Sequence, residues 1–327
     1  MTPELIAAQA TGTGQEIHRI ALHDGKIIPA YGDFGVNTGP IHAYELDVET
    51  LDLVDAFTMQ TEETWRMRTL NDGRLAVPYI DPRGYQDPAQ GVAALRAVDG
   101  SWSAVTSIVD HPPIHAAAFL RRADGTIVVG GSSLETPNGV AAVWIDGVWE
   151  PISSGSNEFE RVYSVAEVDG VLSAWVSNGG APTGGRYERD DSDGTWTHVD
   201  PDAQVEETYP ATTLGVDYVW TLAQNQSSGH VMSGTACAPF PTPTGALATA
   251  LASWPTQALD VTPAADGSVW FLTPSRHVVR GNPDGTVDTL GTVDESATCI
   301  AADTDRGYVW FGTYDSRILR GTIPEPT

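Results

Sequence analysis

Six residues of types able to line a ligand site recur roughly 46–50 positions apart: His18, Trp65, His115, Arg161, Tyr209 and Gln257. Each stands at or near the start of an apolar run. Histidine moves protons or ligates metals near neutral pH, but an isolated histidine is more often solvated or satisfied, and His18 and His115 are both isolated in sequence. Trp65 and Tyr209 read as packing aromatics. In a chain this acidic, Arg66 and Arg161 read as partners of neighbouring carboxylates. Asp33, Asp81 and Asp87 could supply a pair of carboxylates, which at the proper separation hydrolyses a glycosidic bond. A chain with 43 Asp and Glu offers many such pairs, so the pattern is unspecific. There is no Gly-rich phosphate loop, no His-Glu-x-x-His helix and no nucleophile elbow. No cofactor and no metal site is expected.

The elements that would position these residues are written in a repeat. Asp-Gly, one residue, then Trp occurs at 99–102, 146–149 and 193–196, with 47 residues between successive copies. A further Asp-Gly stands at 284–285. A second series, Asp24-Gly25, Asp72-Gly73, Asp124-Gly125, Asp169-Gly170 and Asp266-Gly267, alternates with the first. Short runs rich in Val, Ile, Trp and Phe flank each pair. Asp-Gly supplies the positive φ angles of a tight hairpin. Each unit therefore reads as strand, tight turn, strand, longer loop, strand, tight turn, strand. Four antiparallel strands repeating every 40–50 residues or so make the blade of a β-propeller.

The expected fold is all-β: one seven-bladed β-propeller domain over 1–327, with four antiparallel strands per blade. The blades fall near 17–60, 63–110, 111–157, 158–205, 208–252, 254–293 and 295–323. The fifth is degenerate, with "LGVDYVW" (214–220) in place of the Asp-Gly turn. The seventh lacks a fourth strand. The apolar "ELIAAQA" (4–10), within residues 1–12, is expected to complete it and close the ring, removing an edge that invites aggregation.

Composition agrees. The chain of 327 residues has 33 Gly, 22 Pro and a formal net charge of −26. Lys26 is the sole lysine. Such a surface repels nucleic acid and anionic membranes. No apolar run is long enough to span a bilayer, and the N-terminus lacks the pattern of a secretory signal. Cys237 and Cys299 fall in non-adjacent blades, too far apart to bridge, and read as reduced, buried residues.

In a four-stranded blade the first and third turns share one face, and here they are the tight Asp-Gly ones. The middle loops, "YGDFGVNTGP" (31–40), "IDPRGYQDPAQG" (80–91), "GGSSLETPNG" (130–139) and "SNGGAPTGG" (177–185), are long, and long loops on a rigid scaffold carry recognition. The binding candidates on that face are Asp33, Phe34, Asn37, Asp81, Tyr85, Asn138 and Asn178. The six residues of the opening paragraph would ring the mouth of the central channel on the same side. The tryptophans after the Asp-Gly turns, Trp102, Trp149 and Trp196, read as packing between blades.

Two stretches resemble known families. "RDDSDGTWTHV" (189–199) looks like the Asp-box turn of sialidases with its spacing off by one, and that box is structural there. "DGKIIPAYGDFGVNTGPIHAYELD" (24–47) resembles the first blade of propeller proteins encoded among the tail genes of phages infecting high-GC Gram-positive bacteria, the minor tail proteins. The resemblance implies a non-enzymatic virion component, made in the host cytoplasm, that binds other tail proteins or a host-surface glycan. It transfers no catalytic residue. A carbohydrate- or lactone-active enzyme with a metal or at least three inward carboxylates or histidines at the channel mouth is the alternative, as is a bacterial interaction scaffold.

Overall fold

A computed structural model describes residues 3–8, 16–32, 39–64, 66–82, 91–106, 115–133, 140–152, 160–168, 170–178, 181–200, 207–209, 217–220, 222–225, 229–233, 238–240, 257–282 and 286–324. Among them there is no helix, and hence none long and apolar enough to cross a membrane. Six antiparallel sheets of four strands account for most of the described chain. The first joins Ile17–His23, Lys26–Tyr31, Ile41–Asp47 and Leu53–Met59. The second joins Arg68–Thr69, Leu75–Pro78, Gly91–Arg96 and Trp102–Thr106. Ala118–Arg121, Ile127–Ser133, Val140–Ile145 and Val148–Pro151 make the third, and Glu160–Val168, Val171–Asn178, Ala181–Asp190 and Thr195–Asp200 the fourth. Asp260–Pro263, Val269–Leu272, His277–Gly281 and Val287–Thr292 form another. In the last, Glu4–Ala8 pairs with Arg317–Thr322, outside Tyr308–Thr313 and Ala297–Asp303. Sequential up-and-down sheets of this kind are the arrangement of a β-propeller.

Between the fourth sheet and Asp260 the chain departs from the repeat. A single four-stranded unit is expected over 208–252. The described residues instead form two three-stranded sheets, Glu207–Tyr209 with Asp217–Trp220 and Ala238–Phe240, and Leu222–Asn225 with Gly229–Ser233 and Gln257–Ala258. This stretch also lacks the Asp-Gly pairs that fix register elsewhere.

By contact the chain divides into two units. One comprises Met1–Tyr31, Tyr44–Asp55 and Tyr209–Thr327, the other Gly32–Ala43 and Ala56–Thr208. In each, the core lies between successive sheets. In the first unit Ile17, Ile20, Ile27 and Leu46 pack against Cys299, Ala301, Trp310 and Ile318. Trp270, Leu272 and Val278 pack against Ile300, Val309 and Phe311. In the second unit Leu120, Val128 and Val143 meet Val162, Val165 and Leu172. Trp175, Trp270 and Trp310 are fully buried and occupy the second strand of three different sheets. Second strands are covered on both faces, so they read as continuous apolar runs. Fourth strands such as Val287–Thr292 are half-buried to exposed.

Close approach of neighbouring sheets depends on glycine in the second strand. A Cβ on Gly312 would lie 2.5 Å from Ile17 Cγ2 and 2.6 Å from Cys299 Sγ. A Cβ on Gly130 would lie 2.6 Å from Val162 Cγ1. In both places the inner strand of one sheet seats against the bare backbone of another. Cys299 is a fully buried free thiol whose pKa burial pushes up, so it behaves as a small apolar residue. Cys237 lies outside the described residues.

The Asp-Gly turns are of two kinds. At Asp24-Gly25 and Asp146-Gly147 both residues have positive φ, the two-residue hairpin expected from sequence. At Gly73, Gly100, Gly125 and Gly267 the glycine alone does. There Gly73 N donates to Leu70 O, and Gly100 N, Gly125 N and Gly267 N repeat the bond to the residue three back. This is a type I turn closed by a glycine bulge, and the aspartate has a different task. Asp99, Asp124 and Asp266 each accept the backbone N–H of the residue two on, at 2.9–3.0 Å. Asp190 and Asp193 do the same for Ser192 and Thr195. In the first sheet Asp47 braces the third turn through Glu49 N and Thr50 N, and Lys26 Nζ donates to it at 2.6 Å.

Tryptophan and arginine tie the outer strands. Trp102 stacks on Phe57, with centroids 5.7 Å apart. Trp196 Nε1 donates to Glu150, which also receives two bonds from Arg189. Asp191 accepts Arg122 Nη2 at 2.7 Å and Arg189 Nη1 at 2.5 Å, and Arg122 also bonds Glu167.

Two outcomes follow. Gly312→Ala forces a methyl into Ile17 and Cys299 and is expected to cost about 1–3 kcal/mol by overpacking. Urea denaturation measures it, and an unchanged midpoint would remove the glycine seat as a determinant of the fold. The second concerns pH. Arg122 first, and Arg189 after it, hold the Asp191 carboxyl below the usual range against the opposing effect of burial. A depressed carboxylate stabilises the fold fully above its unfolded pKa, near pH 4, and loses that contribution as pH falls. Asp191 is partly exposed, so Asp191→Asn should cost at most about 1 kcal/mol at pH 7. The gap to wild type should close toward pH 2 in unfolding titrations, whereas a gap independent of pH would contradict the linkage.

Candidate functional site

In the second unit the sheet ends opposite the Asp-Gly turns are joined by backbone bridges. Thr61–Glu63 pairs with Ile80–Pro82 as a small two-stranded sheet. Gly32 bridges to Glu63, and Ile80 bridges to His115. A Cβ on Gly32 would fall 2.3 Å from Glu63 Cα, so this crossing also needs a glycine, which here has φ +144°. Tyr79 marks the bend between Leu75–Pro78 and Ile80–Pro82. Its N–H donates to Val92 O and its carbonyl accepts Ala116 N, both at 3.0 Å. Its ring is buried, and burial raises the phenol pKa.

The segment Thr61-Glu62-Glu63-Thr64 is buried throughout, with the two glutamates 2% and 1% exposed. Thr61 Oγ1 donates within the segment to Glu63 O at 3.0 Å and across the strand pair to Ile80 O. In sequence this tetrapeptide looks like a solvated turn, and nothing in its composition marks it as buried. The one available signal is its place just before Trp65, where an inner strand is due.

His115 and Arg161 come together here. Arg161 Nη2 donates to His115 Nε2 at 3.1 Å. Two glycines make the meeting possible. A Cβ on Gly131 would sit 2.3 Å from His115 O, and Gly130 seats Val162, the residue after Arg161. The pair Gly130-Gly131 thus holds the histidine of its own sheet and the strand of the next against one edge. Asn178 ends the strand beside them, with its backbone opposite Glu160 and Ala181. Asp81 follows Ile80 in its short strand.

The other described candidates each lie within their own unit. His18 lies half-buried in Ile17–His23 of the first unit. Tyr209 ends Glu207–Tyr209, and Gln257 pairs with Ser233. Asp33, Phe34, Asn37, Trp65, Tyr85, Asp87 and Asn138 lie outside the described residues. Arg66 donates to the Tyr163 carbonyl and lies 5.5 Å over the Tyr163 ring. Arg161, expected to pair with a carboxylate, meets an imidazole instead. Among the described residues, no group of three or more His, Cys, Asp or Glu could hold a metal ion.

Two of the long loops are shorter than the sequence implied. Residues 177–185 were expected to be irregular, yet Val171–Asn178 and Ala181–Asp190 leave two residues between them. Residues 130–133 belong to Ile127–Ser133. In the latter, glycine serves close approach rather than turning, and local composition does not distinguish the two uses.

No protein-family model matches the sequence, and no curated protein sequence matches it. Solved structures resemble it in fold. The extracellular domain of a hybrid two component system from B. thetaiotaomicron matches with a TM-score of 0.54 at 11% identity, over 98% of this chain and 43% of that one. The chain therefore spans less than half of that relative. Virginiamycin B lyase from Staphylococcus aureus matches with a TM-score of 0.51 at 12% identity, over 98% and 99% of the two chains. At such identities the likeness extends to the all-β, propeller-type fold alone.

Proposed function

We propose that this chain is a non-enzymatic recognition component of a phage tail, a seven-bladed β-propeller with Glu4–Ala8 as the outermost strand of its last blade. In this reading the end of the sheets that carries the longer loops binds a host-surface glycan or a neighbouring tail protein. The observation that carries it is the contrast between the two ends of the sheets in the second unit. At the Asp-Gly end, aspartates spend their acceptors on their own turns, and arginines spend their donors on carboxylates. At the opposite end the half-buried Arg161 meets His115 where strands from separate sheets are bridged. A guanidinium held by an imidazole at an inner strand end, beside long connections, suits recognition. The likeness of residues 24–47 to phage minor tail proteins supplies the biological setting.

Mass spectrometry of particles purified from an infected high-GC Gram-positive host tests the setting. The chain is expected among the tail proteins, and its absence from particles that contain those proteins would overturn the reading.

A further inference from the structure

The chain holds 17 Lys and Arg against 43 Asp and Glu. In such a composition nearly every guanidinium should find a carboxylate. In the second unit Arg74 and Arg121 bond Asp72, Arg122 bonds Glu167 and Asp191, Arg186 bonds Glu188, and Arg189 bonds Glu150 and Asp191. Arg66 and Arg68 donate to the Tyr163 and Val165 carbonyls, and Arg161 meets an imidazole. Its side chain is half-buried and forms no ion pair with a carboxylate among the described residues, and its polar contact is His115 Nε2 at 3.1 Å. To accept that bond the imidazole nitrogen must carry a lone pair, so this contact gives the charge of Arg161 no counter-charge, and none of the described carboxylates pairs with it.

A guanidinium has five N–H donors in a planar fork, and the imidazole takes one of them. The remaining donors of Arg161 are not among the buried orphans of the described residues, and its side chain is half-buried rather than enclosed. The fork is also held in place. Gly131 seats the His115 backbone, Gly130 seats Val162, and the imidazole fixes the guanidinium edge. A partly desolvated, oriented cation with unused donors is a subsite for a planar or tetrahedral oxyanion.

We propose that Arg161, oriented by His115 and by the Gly130-Gly131 seat, is the oxyanion subsite of the recognition face and takes the acidic group of a saccharide. The acidic group is a uronate carboxylate or a sugar phosphate. The net charge of −26 decides against an extended acidic protein surface, which would bring many like charges together. A single acidic sugar brings one or two, and at physiological salt charges more than about 8 Å away are largely screened. This inference rests on the recognition reading above and names the ligand class of that same face.

The full chain is titrated by calorimetry with glucuronate, glucose 6-phosphate, glucose and an oligoglutamate peptide, while the His115 imidazole resonances are followed by NMR. Glucuronate or glucose 6-phosphate should bind and shift the His115 signals, and the stronger of the two identifies the acidic group. Glucose should bind at least about tenfold more weakly. Arg161→Gln should weaken the acidic sugar about tenfold or more at an unchanged melting temperature, and Arg161→Lys should recover part of the loss. Should Arg161→Gln lower the melting temperature, His115→Gln becomes the test, with a smaller loss of affinity expected. No binding by either acidic sugar, equal binding of glucose, or full binding by the Arg161→Gln or His115→Gln protein would overturn the proposal. Tighter binding of oligoglutamate would overturn the saccharide assignment. Failure here, with the chain present in purified particles, leaves the tail assignment standing. Absence from particles with intact acidic-sugar binding does the reverse.

Discussion

The structure depends on how near two sheets can bring their backbones. Where Gly312 faces Ile17 and Cys299, and where Gly130 faces Val162, there is no room for a β-carbon. The inner strand of one sheet enters the groove that the missing side chain leaves, and the apolar faces on either side then close. Each glycine weakens its own strand by lost entropy and lost packing. The gain lies between sheets, where Ile17, Ile300, Val162 and the buried tryptophans exclude water from both partners at once. A stack of sheets holds only if each neighbour contact is good, because no central core compensates for a poor one.

The same constraint sets the position of polar groups. Asp260 is 2% exposed, yet its carboxylate accepts Ile300 N at 2.8 Å and Val261 N at 2.9 Å, and Arg19 stands 3.3 Å away. One buried acid thus satisfies donors on two inner strands and carries its own counter-ion. At the Asp-Gly end the aspartates brace turns, and Arg122 and Arg189 bridge sheets. These charges are thereby spent on the fold. Strong negative charge and ordered packing coexist in the second unit where Arg122 and Arg189 sit between carboxylates of different strands.

Much of the repeat was legible in the sequence because Asp-Gly has few uses. It placed the first and third turns of the sheets, and the period of 47 residues gave the length of the unit. It did not separate two-residue hairpins from glycine-bulge turns, since the difference lies in the φ of the aspartate. Glycines elsewhere misled. Gly130 and Gly131 resemble loop residues by composition but lie in a strand, where what they need is a neighbour's proximity. Over residues 207–258 the turn signals are absent, and there the strands regroup into two three-stranded sheets.

The candidate site was legible only in part, for a related reason. His115 and Arg161 were visible as residues at the starts of inner strands, because strand starts follow from the repeat. Their contact was not visible, since it depends on how far one sheet enters the next, and the glycine seat sets that distance. Glu62 and Glu63 were hidden because a buried carboxylate and a solvated one are the same letter in a sequence. Once the seat is known the logic runs in the other direction. A histidine pinned by its carbonyl and an arginine one residue before a seated valine cannot avoid each other. Selection for close packing at Gly130-Gly131 thereby also fixes the orientation of the guanidinium, so the rigidity of the fold becomes the preorganisation of the site.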